Sequence, residues 1–171
     1  MKLVTGNLNK VKEWNAIMKL DHVELDLIEI QGTSEEIVKY KCKMAFEKLL
    51  EPCIVEDVGL AIDGMNGLPG PYIKSFLSMG LGQVAKLSSL GNGNADAVCM
   101  IGYHDGKDIH VFKGICHGRI VEPRGIGYGW DPIFEFQGKT FAEMQSKEKN
   151  EISHRKNGIL QLKVYLDSLK N

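Results

Sequence analysis

The chain has no basic surplus, no C-x-x-C pair and no long apolar run, and each absence removes a class of function. Lysine and arginine total 21 against 22 aspartates and glutamates, a formal net charge of −1. General nucleic-acid binders draw their affinity from phosphate neutralisation, so no nucleic-acid partner is expected. Cys42, Cys53, Cys99 and Cys116 stand far apart. That spacing supports neither a zinc site nor a disulfide framework, and reduced, buried cysteines in an intracellular protein are expected. No run of about 18 apolar residues occurs, so no membrane span is expected. Met1-Lys2-Leu3-Val4-Thr5 leads straight into a strand without the apolar segment of a signal peptide, which points to the cytoplasm. Repeats, low-complexity tracts and long linkers are also missing, so the 171 residues read as one domain, 1–171. At 43% hydrophobic and 25% charged, the composition is that of an ordinary globular protein.

What is present alternates between helical and extended patterns. Leu3-Val4-Thr5 reads as a buried strand, and Gly6-Asn7 turns it into a helix with Val11, Trp14 and Met18 on one face. Residues 22–30 alternate, with Val23, Leu25 and Leu27 on one side of a strand. Glu29 keeps that parity, which puts a carboxylate at the strand's apolar end. Thr33 and Glu36 have capping-box spacing ahead of a helix carrying Val38, Cys42, Ala45, Phe46 and Leu49. Ile54-Val55 forms the next strand and delivers Glu56-Asp57 at its end. Residues 72–79 and 81–90 read as helices, and Asp105-Gly106 joins two β-rich runs, 96–104 and 107–116, as a hairpin. Thr140 to Glu143 opens a short helix. A last helix begins near Ser153, with Ile159, Leu162, Leu166 and Leu169 on its stripe. An α/β protein with a mixed sheet is expected.

Four constellations carry chemistry. Thr5, Gly6, Asn7 and Lys10 form a strand-to-helix turn, whose free N–H groups and dipole favour an anion; the second glycine and Lys-Ser/Thr pair of a Walker A loop are missing. Glu29, Glu56 and Asp57 lie at the expected strand ends. Two adjacent carboxylates are costly to bury without a partner, and three oxygen donors suit a hard cation, Mg²⁺ or Mn²⁺ in its place. Tyr128, Gly129, Trp130 and Asp131 place aromatics beside an acid, a pattern for stacking on a planar base and bonding its edge. Lys149 and the Ser153-His154-Arg155 run put cations at a helix start, where a bound anion or carbonyl compensates them.

In this order the four blocks, with Gly67 to Lys74 and Ala142-Glu143-Met144, resemble the inosine triphosphate pyrophosphatase family over nearly the whole chain. The form Gly-Leu-Pro-Gly-Pro-Tyr-Ile-Lys is closest to its eukaryotic branch. The resemblance implies an elongated two-lobed α/β fold with a long central mixed β-sheet flanked by helices and a nucleotide cleft. It implies a homodimer that hydrolyses ITP, dITP and XTP to the monophosphate and pyrophosphate with Mg²⁺. Carried onto this chain, Thr5, Gly6, Asn7 and Lys10 would hold the triphosphate with Lys41 and Lys74. Glu29, Glu56 and Asp57 would hold the metal, and Asp57 would also be the catalytic base. Tyr128, Gly129, Trp130 and Asp131 would form the base pocket, and Lys149, His154 and Arg155 would read the purine. Tyr128 departs from the family's usual phenylalanine. Two other functions compete: a nucleotide-binding sensor without turnover, and a related pyrophosphatase acting on dTTP, UTP or modified pyrimidine nucleotides.

Overall fold

The computed structural model describes residues 1–170. Its strands are β1 (Lys2–Val4), β2 (His22–Val23), β3 (Cys53–Ile62), β4 (Pro69–Gly70), β5 (Asn94–His104), β6 (Ile109–Ile120), β7 (Phe134–Phe136) and β8 (Lys139–Thr140). Its helices are α1 (Leu8–Ile17), α2 (Ser34–Leu49), α3 (Ile73–Phe76), α4 (Leu81–Ser88), α5 (Ser146–Ile152) and α6 (His154–Ser168). The strands pair in the order β2-β1-β3-β5-β6-β7-β8, with β4 on β3. β1 runs parallel to β2 and β3, whereas β4 is antiparallel to β3 and β7 to both β6 and β8. The expected mixed α/β sheet flanked by helices is therefore what the chain forms. Two compact units share it: the first holds residues 1–58, 99–114 and those from Arg155 onward, the second 59–98 and 115–154.

In the first unit the period-two rule of a strand builds two cores at once. Leu3, Ile54, Cys99 and Ile101 pack with Val11 and Trp14 of α1 and Ile159 and Leu162 of α6. Their alternate neighbours Val4, Cys53, Val55 and Met100 pack with Val38, Cys42 and Ala45 of α2. Strands covered by helices on both faces read as unbroken apolar runs, which is why residues 53–55 and 99–101 do. The capping box of α2 is present: Thr33 accepts from the Glu36 amide, and Glu36 accepts from the Thr33 amide at 2.8 Å.

In the second unit, β4 lies against the outer half of β3, with Leu60 opposite Gly70. A Cβ on Gly59 would come within 2.9 Å of the Gly70 carbonyl carbon and oxygen. Gly59→Ala therefore forces backbone apart, at about 1–3 kcal/mol. The expected result is a lower urea midpoint at unchanged slope; an unchanged midpoint would mean that β4 gives way freely.

Four expectations change. The strand over residues 22–30 is regular only at His22–Val23, because its sole partner β1 ends at Val4; Val23, Leu25 and Leu27 still pack inward on the α2 side. The strand carrying Glu56-Asp57 does not end there but runs on to Ile62. Thr140 and Glu143 exchange the two bonds of a capping box, yet Thr140 ends β8 and a helix begins only at Ser146. Finally, β7 and β8 form a hairpin that the sequence reading passed over, and Leu169 lies beyond α6, exposed.

Candidate active site

In the first unit the β1–α1 turn is closed by its own side chains. Asn7 caps α1, its Oδ1 accepting from the amides of Asn9 at 3.0 Å and Lys10 at 3.4 Å. Thr5 Oγ1 accepts from the Asn7 amide at 3.1 Å. The Asn7 carboxamide thus takes donors that the bare helix start would offer an anion. Gly6 packs on the Glu24 side chain.

Glu56 is the most heavily bonded group of this unit. Its Oε2 accepts from Trp14 Nε1 at 2.7 Å and Arg155 Nε at 2.9 Å. Its Oε1 accepts from Arg155 Nη2 at 2.9 Å and Lys10 Nζ at 3.0 Å. Burial would raise its pKa, but Arg155 and Lys10 outweigh that and hold the carboxyl well below the usual glutamate range. Arg155 also pairs with Glu13 of α1. With both oxygens taken by cations and an indole, the ionised Glu56 carboxylate anchors an ion-pair cluster. The Arg155 side chain is 1% exposed and pairs with the Glu13 and Glu56 carboxylates.

Asp57 contrasts with its neighbour. Its Oδ2 is buried with no hydrogen-bond partner. Burial pushes its carboxyl up from the ordinary aspartate value, against the opposing pull of Lys41 and Lys10. Lys41 Nζ bonds Glu29 Oε1 at 3.0 Å and the Glu56 main-chain oxygen at 3.1 Å. Among the described residues no group of three or more histidine, cysteine, aspartate and glutamate side chains is gathered as a metal would need. An orphaned carboxylate oxygen and the half-exposed Glu29 carboxylate still fit Mg²⁺, which binds through one or two carboxylates plus substrate phosphates and keeps its waters.

In the second unit Lys149 and Asp131 form a buried pair, Nζ to Oδ2 at 2.7 Å. The Lys149 ammonium also sits over the Tyr128 ring, 5.0 Å from its centroid, and at 5.3 Å from that of Phe141, within cation–π range. Trp130 is only 7% exposed and packs against Phe134, Phe141 and His154 at 5.3–6.0 Å between centroids. Trp130 is thus packed within this aromatic cluster, whereas Tyr128 is partly exposed. His154 lies parallel to Phe141 at 5.9 Å. Gly129 has φ +61°, a conformation that favours glycine. Lys74 is exposed on α3.

The sequence reading missed Glu13, Trp14 and Phe141. Phe141 carried a signal, standing in an aromatic run with Trp130 and Phe134. Trp14 read only as an apolar stripe member, and nothing local marks Glu13 as the partner of Arg155, 142 positions away.

Known proteins bear on this arrangement. The Ham1 family model matches residues 1–165. The chain is 44% identical to an inosine triphosphate pyrophosphatase of Podospora anserina, over 96% of this chain and 93% of that one. It is 41% identical to one of Pyricularia oryzae, over 100% and 95%. Among solved structures, a HAM1 protein from Coxiella burnetii superposes with TM-score 0.84 at 26% identity, covering 98% and 99% of the two chains. The Staphylococcus aureus Ham1 protein gives 0.79 at 27%, with the same coverage. With the family model matched across nearly its whole length, the chain belongs to the Ham1 family.

Proposed function

We propose that this chain hydrolyses the non-standard purine nucleotides ITP, dITP and XTP to the monophosphate and pyrophosphate, sanitising the nucleotide pool. The observation that carries the reading is Asp57: a buried carboxylate, one oxygen unpartnered, under the electrostatic pull of Lys41 and Lys10. In the metal-free protein burial raises its carboxyl above the ordinary aspartate value, the direction that suits a proton acceptor. The relatives' names supply the substrate class.

In this reading water attacks the α-phosphorus and its proton passes to Asp57. The bond to the bridging oxygen breaks, and pyrophosphate leaves. Lys10 and Lys41 neutralise charge on the phosphates, the principal way in which such sites lower a barrier. Asp57 and Glu29 would hold Mg²⁺, or Mn²⁺ in its place, which supplies Lewis-acid stabilisation when bound. Base recognition falls to a pocket of Tyr128, Gly129, Trp130 and Asp131, with Lys149, His154 and Arg155 reading the purine. The Lys149 ammonium meets a 6-carbonyl as donor to acceptor, whereas the 6-amino group of adenine leaves it unmatched. A buried unmatched donor costs about 1–3 kcal/mol, roughly ten- to hundredfold.

Incubation with ITP, dTTP and ATP in Mg²⁺ is expected to release pyrophosphate from ITP at least about tenfold faster than from ATP. Preference for dTTP would indicate the pyrimidine reading, and no release at all the sensor. Chelation is expected to abolish release, and Mg²⁺ to restore it. The proposal includes a cytoplasmic homodimer, for which sedimentation should give twice the chain mass of 19.0 kDa. No helix among the described residues is long and apolar enough to cross a membrane.

A further inference from the structure

Glu56 has five donors, and they are not equivalent. A carboxylate offers about four lone-pair sites; Trp14 Nε1, Arg155 Nε and the weak Cys99 thiol donor reach Oε2, and Arg155 Nη2 and Lys10 Nζ reach Oε1. Trp14 is fully buried in the core formed with Leu3, Val11, Ile54 and Ile159, and the Arg155 side chain is 1% exposed. Lys10, at 21%, is the donor that reaches solvent.

We infer that Trp14 is a positioning residue for phosphate binding: its indole N–H, together with the Arg155 guanidinium, fixes Glu56 so that Lys10 can leave it for a phosphate. This inference rests on the reading of Lys10 as a phosphate ligand. When Lys10 leaves, Glu56 keeps the Arg155 charge and the hydrogen bonds from Trp14, Arg155 and Cys99, so no buried carboxylate is stranded. Without the indole N–H, Oε2 loses a neutral donor and Glu56 depends more on Lys10. The ammonium is then held more tightly on Glu56 and is less available to a ligand. Trp14→Phe removes the N–H and keeps an aromatic ring in the core, which separates this role from packing.

The test is a double-mutant cycle on Trp14→Phe and Lys10→Ala, read as the Kd for inorganic pyrophosphate by calorimetry in Mg²⁺-free buffer, so that turnover is not needed. Trp14→Phe is expected to weaken binding about three- to tenfold in the wild-type background and not at all in the Lys10→Ala background. Equal weakening in both backgrounds, or none in either, overturns the inference and leaves the phosphate role of Lys10 standing. Unchanged binding in Lys10→Ala alone overturns both. A measurement on the wild-type protein needs no variant to fold: the Trp14 indole N–H resonance is expected to shift as pyrophosphate is added, with the calorimetric Kd. A resonance that stays still overturns the inference.

Discussion

Asp57→Asn is expected to cut kcat for ITP by about a thousandfold while the protein stays folded. A positioned general base contributes about a hundred- to ten-thousandfold, and the amide can neither take a proton nor ligate a cation as a carboxylate does. Stability supplies an independent check. Burial raises the Asp57 pKa in the folded state, so that state binds more protons than the unfolded chain between the ordinary aspartate value and the raised one. Wild-type stability therefore falls as pH rises through that window, and the penalty is complete above it. Asparagine does not titrate, so in metal-free buffer the variant's Tm is expected to exceed the wild type's at pH 7. The gap should close as pH falls below the ordinary aspartate range. Full activity in Asp57→Asn would remove the base from the mechanism. A variant that melts earlier at pH 7 would show that the carboxylate is stabilised by contacts outweighing its burial.

Such an inversion, in which an inactive variant is the more stable one, is the usual signature of a site built for reaction rather than for folding. The same contrast explains what could be read in the sequence. Local signals translated faithfully: the Thr33–Glu36 capping box, the apolar stripe of α2 and the Asp105-Gly106 turn each depend on residues a few positions apart. The β7–β8 hairpin escaped because its turn residues, Gln137 and Gly138, both take positive φ. That pattern normally announces itself as Asn-Gly or Asp-Gly. Glu56 and Asp57 were legible as acids on a buried strand, but not as mid-strand residues. What makes two acids tolerable inside a strand comes from α1, α2 and α6, and Arg155 lies 99 positions from Glu56. Long-range ion pairing leaves no periodicity to read. The acids therefore looked alike in sequence, whereas the fold gives one a full set of cationic partners and leaves an oxygen of the other bare.

Arg155→Leu is expected to be the most destabilising of the substitutions considered. It strands a fully buried Glu56 carboxylate with Lys10 and Trp14, and it takes a cation from Glu13. Removing one partner of a buried pair costs about 3–5 kcal/mol, or about 6–20 °C in Tm for a chain of this length. The cost should depend on pH in a defined direction. Arg155 helps hold the folded-state pKa of Glu56 well below the usual range. The ion pair therefore contributes fully above the ordinary glutamate value and is lost as pH falls through the depressed one. The difference in Tm between wild type and Arg155→Leu should accordingly shrink below about pH 4. Adding Glu56→Gln to Arg155→Leu removes the stranded charge and should recover a large part of the loss at pH 7, because neutralising both members of a buried pair costs far less than neutralising one. If the double variant is no more stable than Arg155→Leu, the cost lies in packing rather than charge. If Arg155→Leu keeps its Tm but loses the preference for ITP over ATP, the guanidinium serves to read the purine, and its bonds to Glu56 are incidental to the fold.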